Sequence, residues 1–397
     1  MTAIRPYSAE VGVVAPALAA APGRPPTAEN PGRIISLDWA RGTLILFNLV
    51  AISAVWAVWP AFVHATWDEP VPAIDLIFPA FVTLSGAGLA FAYRNHVRWT
   101  RTVRRSVLLL GAGLAYNACH MYLTGGTVSW ETLPYTGPLT MYAVLVPVIA
   151  VLHRVIRGWQ WWLLFTVAVS IAYTYGLREY AAGCPGAVLT PECNPSRVID
   201  PAVLGTAHTY GAGVPGHDPN GLVAFWGALT STAAGVTAAH LLLRVRLRGA
   251  RWTLAALSGL AVSLWALGSV CGLYVAEFKR LWTPPFGLHV AAGVVLVLAV
   301  GSFVLDRPRT SPHWRTAVWP IVGTGRNALV LYFGSHLLLD LLRTRGDPPA
   351  GRPWIVSWAE RVALWDVHPQ VAFTVSFVAA GLFLASVLHR FKIYVRP

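Results

Sequence analysis

Apolar runs long enough to cross a bilayer recur along the whole 397-residue chain, and no other feature constrains its fold so tightly. They fall between polar breaks near 43–63, 75–93, 106–123, 136–153, 161–177, 221–243, 253–275, 285–305, 324–342 and 370–389. Each is read as a helix, because about 20 apolar residues in helical form match the hydrocarbon thickness of a membrane. Composition agrees: 55% of residues are hydrophobic, 12% are charged, and mean hydropathy is +0.55. The expected fold is all-α, a polytopic membrane protein of about ten transmembrane helices with both termini on one side.

The arginines say which side that is. Arg94, Arg98, Arg101, Arg104 and Arg105 lie in one connection, and Arg154 and Arg157 in the next one on the same side. Arg244, Arg246, Arg248 and Arg251, then Arg307, Arg309 and Arg315, keep the alternation. With the N-terminal basic residues, Arg326, Arg390, Lys392 and Arg396, 22 of the 30 Lys and Arg fall on the side of the termini. Basic loops are retained in the cytoplasm, so both termini are expected there. The net charge of +13 therefore needs no nucleic-acid partner. Lys279 and Lys392 are the sole lysines, and the wealth of Arg, Ala, Gly, Pro and Val is that of GC-rich coding. The expected address is a bacterial plasma membrane, with the lipid bilayer as partner. Residues 1–32 read as a disordered cytosolic tail, since Glu10, the prolines and a weak basic start do not suit a signal peptide. Residues 33–397 read as one transmembrane domain.

On this topology the longest connection, about 178–220, is external. It holds Cys184 and Cys193, close in sequence on the oxidising face, and these are expected to form a disulfide while Cys119 and Cys271 stay free. The spacing fits no zinc ribbon, and neither HExxH, a Walker loop nor GxSxG occurs, so no metal is expected. No internal repeat is visible, which weighs against many transporter architectures.

Ionisable groups near a bilayer are costly and tend to face a cavity. His64, His120, His240, His289 and His336 lie at helix ends or interiors. His64 stands out: in HATWDEPVPAIDLIFP, residues 64–79, Trp67 offers an apolar wall, and Asp68 and Asp75 offer carboxylates to a histidine acting as base or nucleophile. The plainer reading makes Trp67 an interfacial belt residue and Asp75 a helix N-cap.

Five blocks then resemble one family. RIISLDWARG (33–42) is similar to R-x-x-S-x-D-x-x-R-G, and HATWDEPVPAIDLIFPAFVTLSGAGL to H-A-S-W-N-G…D-L-V-F-P-x-F…G. CNPSRVIDPAVLGTAHTYG…HDPNGL resembles C-N…I-D…L-G…H-x-Y…D-P-E-G-L, FKRLWTPPF resembles K-N-L-W-S-x-S-F, and GRNALVLYFGSHLL resembles G-x-N-S-x-x-V-Y-x-G-H. In this order they look like the heparan-alpha-glucosaminide N-acetyltransferases and their bacterial relatives, in the transmembrane acyltransferase group. The resemblance implies an enzyme that takes acetyl from cytosolic acetyl-CoA and delivers it to an amino sugar or glycan on the far side. It implies that His64 is the active histidine and Asp75 its downstream aspartate. His208, Asp218, Lys279, Trp282 and His336 fall on the acceptor side, with Trp67 and Asp68 beside them, and Asn327 on a late block of the family pattern. It also allows a homodimer. Ser53 or Ile52 stands where the family has an asparagine before the histidine, with Asn48 a turn away on the same helix face, and Asn220 replaces the acid of D-P-E-G.

The phosphates of CoA need cationic donors at the cytosolic mouth, where Arg41, Arg105 and Arg326 are expected at helix ends. The small residues of TLSGAGLAFA permit a thin pantetheine arm between helices. The competing reading is a proton-coupled transporter or flippase whose His and Asp residues relay protons.

Overall fold

A computed structural model of the chain describes residues 34–54, 60–67, 70–306, 312–347, 351–363 and 367–395. The expected tail, residues 1–32, and Asp68 lie outside the described residues. Among the described residues thirteen α-helices follow one another: α1 Ile35–Ile52, α2 Ile77–Ala92, α3 Trp99–Gly125, α4 Pro138–Val155, α5 Trp159–Ala182, α6 Pro195–Leu204, α7 Leu222–Val245, α8 Ala250–Gly272, α9 Pro284–Leu305, α10 Pro312–Arg326, α11 Ala328–Thr344, α12 Trp354–Val362 and α13 Pro369–Arg390. Among the described residues the one β-ladder is a pair of two-residue strands, Gly346–Asp347 with Arg352–Pro353. The protein is an all-α polytopic membrane protein.

Among the described residues eight helices are long and apolar enough to cross a membrane: α1, α2, α3, α4, α7, α8, α9 and α13. Contacts at the two ends of the bundle give the remaining passes. At the end carrying the termini, the Ile35 and Ser36 N–H groups donate to Asp306 after α9, the Thr102 hydroxyl of α3 reaches Tyr93 after α2, and His153 of α4 meets Trp162 of α5 and His240 of α7. His389 near the end of α13 packs on Trp319 of α10. At the opposite end Trp67 bonds to Leu189 after α5, Thr136 before α4 bonds to Asp218 before α7, and His120 of α3 pairs with Asp340 of α11. Thus α5 and α11 also run from one end to the other, while α10 stays at the end carrying the termini, with Val318 and Val322 against Leu305 and Trp319 and Gly323 against His389.

Two expected boundaries move. The first span was expected at 43–63, but α1 runs eight residues earlier, because Asp38 sits in its first turn and Arg41 satisfies its guanidinium inside the bundle on the Leu84 carbonyl at 3.1 Å. The ninth was expected at 324–342, but helix begins at Pro312 and breaks at Asn327, whose φ of −112° is not helical.

The core is organised on α7, which is the most enclosed span, whereas α3 is the least. Helices in a bilayer associate by close packing, so small residues mark the tight crossings. A Cβ on Gly86 of α2 would lie 2.1 Å from the Thr232 carbonyl of α7, and one on Gly235 of α7 would lie 1.9 Å from the Thr83 carbonyl of α2. That crossing fixes the start of α2, and with it Asp75, against the centre of the bundle. Cys184 and Cys193 are joined in a disulfide with Cα atoms 5.8 Å apart, and Cys119 and Cys271 are free.

Candidate active site

Three connections meet at the end away from the termini: the one between α1 and α2, the one between α8 and α9, and the loop that runs from α5 through α6 to α7. Asp75 lies in the 3-10 turn Ala73–Leu76 that opens α2 and is 2% exposed. Its Oδ1 meets His64 Nδ1 and, at 2.7 Å, the ammonium of Lys279, while its Oδ2 accepts the Ala65 N–H at 3.1 Å. A buried carboxylate stays ionised only with such partners. Lys279 Nζ also lies 3.2 Å from His64 Nδ1. Because an ammonium accepts no hydrogen bond, Nδ1–H and Nζ both donate to Asp75, and their closeness follows from sharing one oxygen. The neutral ring then carries its lone pair on Nε2. His64's side chain is 55% exposed.

The backbone that carries His64 is clamped from the α8–α9 connection. The Arg280 guanidinium donates to the Ala65 and Thr66 carbonyls at 2.5 and 3.2 Å. Trp67 is buried, donates its indole N–H to the Leu189 carbonyl at 3.0 Å, and packs on Phe278 and His217. His217 donates Nδ1–H to the Pro215 carbonyl at 2.9 Å. Burial pushes its pKa down to about 4, with the Arg280 charge adding to the effect, so it is neutral at pH 7. Burial also lowers the Lys279 ammonium from its usual value, against the pull of Asp75. Arg280 and His217 escaped the sequence reading. Both stand inside the family-like segments, Arg280 in FKRLWTPPF and His217 in HDPNGL, but their approach to residues 65–67 is tertiary.

The other expected residues take three kinds of place. His336 of α11 donates Nδ1–H to the Tyr332 carbonyl at 2.8 Å and lies within electrostatic reach of His64. His208 and Asp218 tie the loop between α5 and α7 to the α3–α4 connection. His208 bonds to the Leu133 carbonyl at 2.8 Å and stacks on Tyr135 at 4.0 Å, and Asp218 accepts from the Thr136 hydroxyl and the Tyr210 and Asn220 N–H groups. Burial raises the Asp218 carboxyl above the usual carboxylate range. Trp282 lies in the core, donates to the Ser231 hydroxyl at 3.1 Å and closes the turn after Lys279 with a positive φ of 49°. Asn48 is 2% exposed, and its Nδ2 finds no acceptor among the described residues.

Toward the termini, Arg41 and Arg105 lie within electrostatic reach of the Tyr142 hydroxyl, which bonds to Ser85. They thus bring α1, α2, α3 and α4 together. Arg326 stacks over Tyr394 at 3.8 Å, and Asn327, fully buried, bonds to the Gly323 carbonyl at 3.2 Å. Among the described residues no three His, Cys, Asp or Glu side chains group as metal ligands.

No curated protein matches the sequence. The family model described as heparan-alpha-glucosaminide N-acetyltransferase, catalytic, matches residues 33–191, a stretch that starts at the Arg33–Gly42 block and contains both His64 and Asp75. Over residues 33–191 the chain is therefore similar to the heparan-alpha-glucosaminide N-acetyltransferase catalytic family.

Proposed function

We propose that this protein is a membrane acetyltransferase that moves an acetyl group from cytosolic acetyl-CoA to an amine or hydroxyl of an amino sugar or glycan on the external side. The observation that carries this reading is the buried Asp75 holding Nδ1 of a His64 side chain that is 55% exposed. A carboxylate that orients an imidazole and stabilises its cation is the arrangement that general bases and histidine nucleophiles require.

Two routes use the same atoms. As carrier, Nε2 attacks the thioester carbonyl, the C–S bond breaks, and CoA leaves as a thiolate that takes a proton from the cytosolic side. The acceptor amine then attacks the acetyl-imidazole, its C–N bond to the ring breaks, and the amine's proton leaves by His64. As general base, Nε2 takes the amine's proton while the amine attacks the thioester directly, the C–S bond breaks, and CoA leaves as a thiolate that takes a proton from the cytosolic side. In both, Asp75 and Lys279 fix the ring and balance the positive charge that it gains. Arg41 and Arg105 beside Tyr142 support a phosphate-binding role at the cytosolic mouth, with Arg326 and Asn327 at the same end. Trp67, His208, Asp218 and Trp282 shape the acceptor side by holding the loop and the turns around His64, and His336 lies close enough to touch the same substrate. Residues 33–397 are one acyltransferase domain in a bacterial plasma membrane, and a homodimer is compatible with it.

The test is to incubate the purified protein with labelled acetyl-CoA and a panel of amino sugars and envelope glycans. Label is expected in an acetylated product. A proton-dependent flux of substrate with no acyl transfer would favour a transporter instead.

A further inference from the structure

Beside the His64 site, a cavity of about 590 Å³ opens sideways between α1, α2, α8 and α9. Its walls are apolar: Leu44 and Phe47 from α1, Ala80 and Leu84 from α2, Val290 and Val294 from α9. Trp265, Gly293, Val297 and Leu76 line it and are exposed, so its open side faces the hydrocarbon of the bilayer. Its lining runs from Leu76 to Leu84 on α2, from Ala40 to Phe47 on α1 and from Phe286 to Val297 on α9, the longest of these roughly 16 Å of helix. That is about half of the ~30 Å hydrocarbon thickness, so the groove reaches from the His64 end to about the middle of the bilayer, the depth of one leaflet's tails.

The mouth of this groove belongs to the site. Leu76 and Ile77 follow Asp75 directly, and Glu277 lies two residues before Lys279. Glu277 accepts from His289 Nδ1 at 2.6 Å, and the His289 ring stacks on Trp265 at 4.2 Å. The groove is thus polar where it meets the transfer centre and apolar below it.

We infer that the groove holds the hydrocarbon tail of a lipid in the external leaflet, whose headgroup presents the acceptor amine or hydroxyl to His64. This rests on the reading of His64 as the transfer centre. A tail seated along α2 and α9 confines its headgroup to the end where Asp75 and Lys279 stand. It thereby turns a three-dimensional encounter into a positioned one.

Gly293 gives a clean test, since a Cβ there meets nothing within 4 Å. Gly293→Leu fills the groove without crowding the core, and Val297→Trp does the same from the next turn. The protein is reconstituted in phosphatidylcholine vesicles with labelled acetyl-CoA and offered either free glucosamine or a dialkylglyceryl glucosaminide carried in the bilayer. Wild type is expected to use the lipid-borne sugar at least tenfold better in kcat/KM. Gly293→Leu is expected to lower that rate five- to tenfold and leave free glucosamine within twofold. Equal use of both acceptors, or equal losses on both, would overturn the inference. Native mass spectrometry reads the groove without turnover: the glucosaminide should stay bound to wild type and not to Gly293→Leu or Val297→Trp. Equal retention overturns the groove. Transfer to neither acceptor, with retention lost in the variants, contradicts the acetyltransferase reading alone.

Discussion

At the scale of single residues, the chemistry turns on how one carboxylate is shared. Asp75 serves His64 and Lys279 through the same oxygen, so the charge on Lys279 decides how strongly Asp75 holds the imidazole proton. Burial lowers the Lys279 ammonium, and above that lowered value Lys279 is neutral and Asp75 has lost its cation. Activity is therefore expected to fall on an alkaline limb below the ordinary lysine value of about 10.4. Lys279→Arg, which stays charged throughout, should move that limb up and out of range. A pH–rate profile of acetyl transfer decides it, and an unmoved limb would assign it to another group. Much of this centre was legible in the sequence, because His64, Trp67, Asp75 and Lys279 stand in quoted blocks. The clamp by Arg280 and the packing of His217 on Trp67 were not, since residues more than 140 apart meet there through folding and no local pattern encodes it.

At the scale of elements, the loop from α5 to α7 supports the site through Trp67, and two of its features are open to measurement. The disulfide closes a short ring that contains Leu189, the acceptor of the Trp67 indole. Changing Cys184 and Cys193 together to Ser should cost about 2–3 kcal/mol of local stability in the chain-entropy account. Limited proteolysis between α5 and α6 should report it, and an unchanged cleavage rate would mean that the ring contributes nothing. His217 adds an acid-sensitive part. Its folded pKa is depressed to about 4 against about 6.5 unfolded, so its contribution is fully present above pH 6.5 and is lost as pH falls toward 4. The ceiling is about 3 kcal/mol by linkage. Asp200 and Asp218, both raised by burial, act in the opposite sense, so the comparison is with His217→Gln, in which they are unchanged. Wild type should lose more protease resistance than the variant between pH 6.5 and 4, and parallel losses would contradict the assignment. Element ends were the least legible part of the fold. Hydropathy reports where side chains are apolar, not where the helix stops, so it missed the early start of α1 at polar Ser36 and Asp38, the break at Asn327 and the short helices α6 and α12.

At the scale of the whole molecule, the alternation of arginines gives a sidedness that the two-ended bundle allows to be tested. Cysteines introduced at Thr127 and Ala212, in a Cys119→Ser background, should react with an impermeant thiol reagent outside intact cells, and one at Gly249 should not. Labelling of Gly249→Cys from outside would reverse the topology. The all-α polytopic fold was readable in the sequence because each apolar run must satisfy its own backbone in the bilayer. The meeting of Arg41 and Arg105 at Tyr142 was not, because it depends on which helices are neighbours. The account requires that acetyl-CoA and acceptor act from opposite faces through His64. The direct measurement uses sealed vesicles with the Arg-rich face outward, labelled acetyl-CoA outside and glucosamine trapped within. Wild type is expected to form labelled N-acetylglucosamine in the lumen, and His64→Ala, while still binding acetyl-CoA, to form it roughly 10²–10⁴-fold more slowly. Lumenal product from His64→Ala at the wild-type rate, or product only when both substrates share a face, would contradict the account.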